Sequence, residues 1–313
     1  MSRTILVPLD GSTFAEHAVP AAIGIARRTG AALELIIVDR PPVSWIVPEV
    51  PITFDEKYLG IDGQRYLERL HTRMPADVPV CLTRLHGNAT PLLVRHIGET
   101  EPSLVVMSTH GRGGFGRVWV GSVAGAVARQ SPVPVLLIRP PVTEPNLVDS
   151  STVTRVLMPL DGSVASEEIF DHALALFGVQ GVDYTITRVI SPLAVFEAPD
   201  PIVSSVRRWE THPESLLHAE AERLRARGAT VYERLVVGDA VADALVEVAD
   251  EIGADVIAMT THARRGLSRF VMGSVADGVL RRAARPVLLF HPTHEIVDVR
   301  RRVEAVTAAA VPL

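Results

Sequence analysis

The sequence has 313 residues, of which 47% are hydrophobic and 21% are charged, and its formal net charge is −5. This composition is typical of compact globular proteins, and the length suits two domains rather than one. The slightly acidic balance argues against binding to duplex DNA, which requires a large basic field. Cys81 is the only cysteine, which excludes an internal disulfide and a cysteine-based metal cluster.

Two further features narrow the class of protein. The N-terminal residues lack the pattern of a secretory signal, and no apolar run reaches the roughly 18 residues of a membrane-spanning helix. We therefore expect a cytoplasmic protein that binds neither nucleic acid nor membrane. Lys57 is the only lysine, and it lies in none of the motifs that P-loop NTPases, protein kinases or Schiff-base enzymes require.

Apolar segments of strand length alternate with longer segments of helical periodicity in both halves of the chain. In the first half we predict strands at Ile5–Leu9, Leu33–Val38, Val78–Arg84, Leu104–Ser108 and Val135–Ile138, with helices at Thr13–Thr29, Glu56–Arg73, Thr90–Glu99 and Ser122–Arg129. In the second half we predict strands near Val156, Thr185, Val231, Val256 and Val287, with helices beginning near Val164, Pro213, Ala240 and Ser274. The pattern predicts an α/β protein of two tandem doubly wound domains, each a five-stranded parallel sheet flanked by helices.

A proline-rich, polar stretch beginning at Pro140 predicts the linker between the domains. It places the first domain at residues 1–147 and the second at 148–293. Residues 294–313 lie beyond the repeat and are expected to form a C-terminal tail. Two further proline-rich segments, Arg40–Thr53 and Ser191–Ser205, follow the second strand of each half, and either a lid over a ligand or a domain contact would suit them.

Two short motifs occur in both halves at nearly the same separation. The first is Thr4–Ser12, which recurs as Arg155–Ser163. The second has two parts: Ser108–Gly111 recurs as Thr260–Ala263, and Gly121–Ala124 recurs as Gly273–Ala276. The first motif ends a strand and the second begins where the fourth strand ends. Since ligands of open parallel sheets bind at the carboxyl ends of the strands, both motifs lie where a binding site is expected.

The first motif allows two interpretations. Asp10 closes the first strand, and Ser12 or Thr13 is placed to cap the helix that follows. Asp10 is then either a ligand contact or simply a residue of the turn.

The second motif is typical of a polyphosphate site. Residues 111–116 are rich in glycine, which lets backbone N–H groups approach an anion closely. Gly121 and Ser122 then open a helix, whose N-terminus offers unpaired donors and the positive end of its dipole. A mobile loop is the alternative for the glycines alone, and the second copy of the motif favours the phosphate site.

With these motifs, the chain resembles a tandem universal stress protein with two UspA-type domains of the adenine-nucleotide alpha-hydrolase-like fold. The family pattern is Gly, two residues, Gly, nine residues, then Gly and Ser or Thr. Ser108 replaces the first glycine in the first half, and Thr260 and Ala263 replace both leading glycines in the second half. The first half is therefore expected to bind nucleotide more securely than the second.

The resemblance implies a set of nucleotide-binding residues in each half. Asp10 would contact the adenosine portion, Val38 would line the adenine pocket through its backbone, and the glycine loop with the following helix would surround the phosphates. In the first half the set is Pro8, Asp10, Ser12, Val38, Met107, His110, Gly111, Arg112, Gly121, Ser122 and Val123. In the second half it is Asp161, Val189, His262, Arg264, Gly273, Ser274 and Val275. The two histidines suit a turn-fixing role equally well, and surface solvation is the alternative for the two arginines.

The resemblance implies a stress-response protein that binds ATP, with Mg²⁺ as a possible companion ion. No catalytic residue and no metal ligand is assigned, so we expect a slow ATP hydrolase at most. A scaffold of the same fold that works without nucleotide is the alternative, supported by the replaced glycines. The last strands predict pairing, either between the two domains as a pseudo-dimer or between two chains as a homodimer.

Overall fold

The computed structural model describes residues 4–39, 62–109, 120–141, 143–148, 152–191, 213–261 and 272–292. Its contacts divide the chain into two compact units, Met1–Thr152 and Val153–Leu313. The domain limits near residue 147 and at residue 293 remain predictions. Most of the two proline-rich segments and the tail from residue 294 lie outside the described residues.

The first unit alternates strands and helices along its described length. Its strands are β1 (Thr4–Leu9), β2 (Ala32–Asp39), β3 (Val80–His86), β4 (Leu104–Ser108) and β5 (Val135–Ile138). Its helices are α1 (Thr13–Glu16), α2 (Ala18–Thr29), α3 (Gly63–Thr72), α4 (Ala89–Thr100) and α5 (Ser122–Gln130). The strands run parallel in the order β3-β2-β1-β4-β5.

The helices of the first unit cover both faces of this sheet. A Cβ added to Gly63, the first residue of α3, would lie 2.9 Å from Ile37 Cγ2, whereas His96 of α4 bonds the carboxylate of Glu34. Ile37 and Glu34 differ in parity along β2, so they face opposite sides of the sheet. Strand β4 is buried along its whole length, as expected for a parallel strand covered on both faces.

The second unit repeats this architecture. Its strands are β6 (Arg155–Pro159), β7 (Asp183–Ile190), β8 (Thr230–Val237), β9 (Val256–Thr260) and β10 (Val287–Phe290). Its helices are α6 (Val164–Glu167), α7 (Ile169–Phe177), α8 (Pro213–Arg225), α9 (Val241–Glu251) and α10 (Ser274–Arg282). The strands again run parallel, in the order β8-β7-β6-β9-β10. The predicted fold class is thus confirmed.

The structure differs from the predicted elements in three main places. The first predicted helix is split at His17, and β3 starts and ends two residues later than predicted. Helix α3 begins at Gly63, where Asp62 caps it, whereas the prediction began this helix at Glu56. Pro20 has no N–H to donate to the Glu16 carbonyl, so one α-helical hydrogen bond is missing there in the first unit. The second unit has no proline there, yet its helix breaks at the corresponding Glu168, so the interruption belongs to the packing of the fold.

Candidate functional site

The segment that follows β1 forms a tight turn built by three consecutive residues. Asp10 Oδ1 accepts hydrogen bonds from the Ser12 amide at 3.0 Å and from the Ser12 hydroxyl at 2.6 Å. Gly11 between them has φ of +83°, a conformation that favours glycine. Ser12 Oγ accepts from the Ala15 amide at 3.2 Å and so caps α1. The turn therefore fixes the carboxylate of Asp10 at the carboxyl end of β1.

The second unit builds the same turn after β6. Asp161 Oδ1 accepts from the amide of Ser163 at 2.9 Å and from its hydroxyl at 2.7 Å, and Ser163 Oγ accepts from the Ser166 amide at 3.1 Å. Gly162 has φ of +84°. The repeated Pro-Leu-Asp-Gly-Ser sequence thus encodes one turn geometry, in which the aspartate is a turn residue whether or not it also contacts a ligand.

The start of α5 lies directly against the end of β4. The Gly121 amide donates to the Thr109 carbonyl at 2.7 Å, and a Cβ added to Gly121 would lie 3.3 Å from that carbonyl oxygen. Gly121 is the N-cap of α5, and no side chain caps this helix. Because a glycine cap supplies no side-chain acceptor, the first N–H groups of α5 are candidate donors to an anion.

The sheet order brings these two segments together. Strands β1 and β4 are neighbours, with Ile5 opposite Leu104, and the connections run outward from this pair in opposite directions. This arrangement makes the gap beyond β1 and β4 the switch point at which doubly wound sheets bind ligands. Val38 ends up beside Asp10, since Leu9 pairs with Ile37 one residue earlier. Pro8 of β1 and Met107 of β4 are both buried.

The other described residues of the predicted set lie in corresponding places. In α5, Ser122 is exposed and Val123 is half-buried. In the second unit Gly273 caps α10 without a side-chain hydrogen bond, and Val189 lies near the end of β7. Ser274 and Val275 form the first turn of α10. The remaining predicted residues, His110, Gly111, Arg112, His262 and Arg264, lie outside the described part of the chain.

A buried charged cluster beside the first turn was not predicted from the sequence. Glu16 of α1 is 4% exposed, and its carboxylate accepts from Arg73 Nη1, just past α3, at 2.9 Å. Burial raises the pKa of the Tyr66 phenol strongly, and the negative charges of Glu16 and Asp10 raise it further. The Asp10 carboxylate therefore shares a negative electrostatic environment with Glu16, which Arg73 offsets.

The second unit carries the same ion pair. Glu167 accepts from Arg223 Nη1 at 3.0 Å, and Glu16 and Glu167 hold matching places four residues after the capping serines. In both halves this glutamate is followed by an arginine at nearly the same distance in sequence. That repeat is the sequence signal from which the ion pair could have been predicted. The ion pair links α1 to the end of α3 in the first unit, and it links α6 to the end of α8 in the second unit.

The described residues lack two features, a cluster of metal ligands and a membrane-spanning helix. Within the described ranges, no group of three or more His, Cys, Asp or Glu side chains is placed to hold a metal ion. Among the helices in those ranges, none is long and apolar enough to cross a membrane.

Comparison with known proteins identifies the family. The model of the universal stress protein family matches residues 1–139 and again residues 152–291. A universal stress protein of Mycolicibacterium smegmatis is 28% identical over 302 residues, which cover 92% of this chain and 97% of that protein. The Mycobacterium tuberculosis universal stress protein Rv2005c is 30% identical over 203 residues, and the match spans 64% of each protein.

A solved structure agrees in fold. The crystal structure of a universal stress protein from Archaeoglobus fulgidus covers 93% of this chain and 97% of its own, with a TM-score of 0.61 and 19% sequence identity. At this identity the likeness concerns the fold alone. Together with the two family matches along the sequence, it confirms the predicted tandem arrangement: the chain belongs to the universal stress protein family and carries two domains of that family.

Proposed function

We propose that this protein binds ATP at the carboxyl ends of the strands, in its first unit above all, and acts in a stress response as a nucleotide-holding protein. The main support is one juxtaposition in the first unit. The N-terminus of α5, whose N-cap is a glycine, is tied to the end of β4 through Gly121 and Thr109, and the Asp10 turn follows β1, the strand next to β4. A polyphosphate suits the helix end, and a nucleoside suits the region of the turn.

The proposed roles follow the predicted set. The backbone at Gly121, Ser122 and Val123 would donate to phosphate oxygens, and the glycine loop would complete this cradle with Gly111 and Arg112. Asp10 and the backbone of Val38 would hold the nucleoside over the floor of Pro8 and Met107. In the second unit Asp161, Val189, Gly273, Ser274 and Val275 would take the equivalent roles.

We propose holding rather than rapid hydrolysis. Asp10 Oδ1 already accepts two hydrogen bonds from Ser12, which suits a positioning carboxylate better than a general base, because a base needs its oxygen directed at the attacking water. Slow hydrolysis with Mg²⁺ is compatible with this site. A nucleotide-independent scaffold is the competing proposal, and the replacement of family glycines by Ser108, Thr260 and Ala263 favours it.

The deciding experiment is to purify the full chain without added nucleotide, denature it and identify what is released. We expect an adenine nucleotide in the supernatant, and we expect ATP with Mg²⁺ to raise the melting temperature of stripped protein, since a ligand that binds only the folded state stabilises it. Protein that releases no nucleotide and shows no thermal shift with ATP would support the scaffold instead.

A further inference from the structure

The carboxyl end of β10 holds the chain where it leaves β9. The Thr261 amide donates to the Phe290 carbonyl at 2.9 Å, and Thr261 is buried. Phe290 is the last residue of β10 and lies opposite Thr260, the last residue of β9. The connection from β9 toward α10 therefore starts at a point that Phe290 fixes.

The first unit makes the same backbone contact. The Thr109 amide donates to the Ile138 carbonyl at 2.8 Å, and Thr109 is also buried. Ile138 and Phe290 hold matching places in the repeat. The two units thus contain equivalent hydrogen bonds with different side chains around them.

The difference is a histidine in the second unit. His172 of α7 lies against Phe290, with the two ring centroids 4.0 Å apart and the ring planes inclined by 46°. The first unit has Ala21 at the place of His172 and Ile138 at the place of Phe290. The side chains at these two places in the first unit cannot take up a proton, whereas the imidazole of His172 can.

The surroundings of His172 oppose a positive charge on its ring. Helix α7 packs on β9, and neither β9 (Val256–Thr260) nor β10 (Val287–Phe290) carries a titratable side chain. Burial lowers the pKa of the His172 imidazole, and the charge of Asp171 offsets part of this effect. The neutral ring is therefore the form that the closed structure favours.

Two carboxylates on α7 act in the opposite direction from burial. Asp171 precedes His172 and pairs with Arg227 at 2.6 Å, which weakens its attraction for a proton on the imidazole. Glu168 is the N-cap of α7, one turn before His172. Since the pKa of His172 is lowered all the same, burial outweighs both carboxylates.

His291 is the other histidine at this end of the sheet. It follows Phe290, and its Nδ1 is hydrogen-bonded to Thr261 Oγ1. The first unit has Arg139 at the matching place. The effects of His172 and His291 on Thr261 therefore have to be measured separately.

We propose that the second unit carries an acid-sensitive latch, in which protonation of His172 separates its ring from Phe290 and loosens the hold of β10 on Thr261. The latch needs no bound ligand, so it goes beyond the proposed function and does not depend on it. Mild acid would release Thr261 in the second unit and leave Thr109 in place in the first.

The direction of the effect follows from proton linkage. Above about pH 6.5 the imidazole is neutral in both the closed and the opened state, so the contact with Phe290 has its full strength. Below that pH the opened state binds a proton that the closed state resists. Acid therefore favours opening, by up to about tenfold per pH unit until the closed state is also protonated.

Amide hydrogen exchange of the full chain at pH 7.5 and pH 5.5, corrected for the intrinsic exchange rates, tests the latch. We expect the protection of the Thr261 amide to fall about 3- to 10-fold at pH 5.5. The Thr109 amide is the matched control in the first unit. The Ile257 amide, which donates to the Pro286 carbonyl at the other end of β9 and β10, is the control within the second unit, and both control amides should keep their protection.

Three variants identify the group responsible. His172→Phe keeps an aromatic ring against Phe290 but takes up no proton, so it should remove most of the fall at Thr261. His172→Ala installs the residue of the first unit and should also make the protection of Thr261 independent of pH. His291→Gln should retain the fall.

Three results would overturn the latch. Equal losses of protection at Thr261 and Ile257 would show that acid weakens the whole second unit. A fall that persists in both His172 variants would assign the effect to another group. Protection of Thr261 that rises at pH 5.5 would show that Phe290 holds the protonated ring in place.

Discussion

At the scale of single residues, the two Asp-Gly-Ser turns show how a short sequence specifies a local geometry. Their glycines have φ near +83° and +84°, where a Cβ is strained, and their serines both bond the aspartate and cap a helix. The sequence predicted the cap and the turn because these interactions are local. Whether Asp10 is also a ligand contact depends on residues far away in sequence.

Replacing the turn glycines by alanine is expected to destabilise the protein by about 1–2 kcal/mol each, because alanine disfavours a positive φ. Gly162→Ala should lower the free energy of unfolding by more than the backbone strain alone, since the added Cβ would lie 3.2 Å from Arg188 Nη1. Gly98→Ala is the control, as Gly98 lies within α4 with open space around it, and it should stabilise slightly. Urea unfolding measures all these changes, and equal effects at Gly98 and Gly162 would contradict the assigned strain.

Tyr66 gives a prediction for alkaline pH. Its pKa is raised in the folded protein, first by burial and then by Glu16, so above about pH 10 the unfolded chain loses a proton that the folded chain keeps. Stability should therefore be unaffected by this group below pH 10 and should fall above it, by up to about 1.4 kcal/mol per pH unit. Urea unfolding from pH 8 to 11.5 should show a shallower decline for Tyr66→Phe.

The control for this prediction is Tyr232→Phe, which removes the hydroxyl of a tyrosine that is 54% exposed on β8. It should follow the unmodified protein across the pH range. A Tyr66→Phe profile that also coincides with the unmodified one would show that the Tyr66 phenol does not contribute to alkaline unfolding.

At the scale of elements, packing decided the features that propensity did not reveal. The helix after β1 breaks at His17, and the helix after β6 breaks at the matching Glu168, although only the first unit has a proline nearby. The short helices α1 and α6 are each held by one ion pair to the end of a later helix. Isolated helices of this length are not stable, so their geometry depends on those tertiary contacts.

Arg73→Met is expected to destabilise the first unit by about 1–2 kcal/mol. The variant leaves the Glu16 carboxylate buried and without Arg73, since the Glu16 side chain is 6% exposed. Because Arg73 itself is 48% exposed, the loss of stability should be smaller than for a fully buried ion pair. Arg223→Met should cost less, because the Glu167 side chain is 14% exposed. Chemical denaturation of the Arg73→Met and Arg223→Met variants measures the two losses in the free energy of unfolding.

The double variant Glu16→Gln with Arg73→Met tests the mechanism. It should recover part of the lost stability, since the buried charge is gone. A double variant that is less stable than the sum of both single changes would contradict the explanation.

At the scale of the whole molecule, two copies of one fold allow a matched comparison of two candidate sites. The first unit keeps a family glycine at Gly111, and the second has Ala263 at that place, where a methyl group restricts the backbone that would approach a phosphate. We therefore expect the two copies to be equal as scaffolds and unequal as nucleotide-binding sites.

We predict that Gly121→Glu removes most of the thermal shift produced by ATP with Mg²⁺, whereas Gly273→Glu removes the smaller part. Each change puts bulk and negative charge at the start of a helix where phosphates are proposed to lie. Thermal unfolding with and without ATP measures both variants. A shift unchanged in Gly121→Glu would show that the first site is wrongly assigned, and a larger loss in Gly273→Glu would reverse the predicted order.

The sequence by itself determined the fold class, the two copies and the strand-ending turns, because apolar periodicity, the internal repeat and local hydrogen bonding all act over short distances. Only the tertiary structure decided which of these segments meet. The strand order β3-β2-β1-β4-β5 sets the Asp10 turn next to Val38 and next to the strand that leads toward Gly121, and packing buries Glu16 near Tyr66. Those neighbours are brought together by the packing of the whole sheet, so the burial of Glu16 next to Tyr66 does not follow from the local sequence.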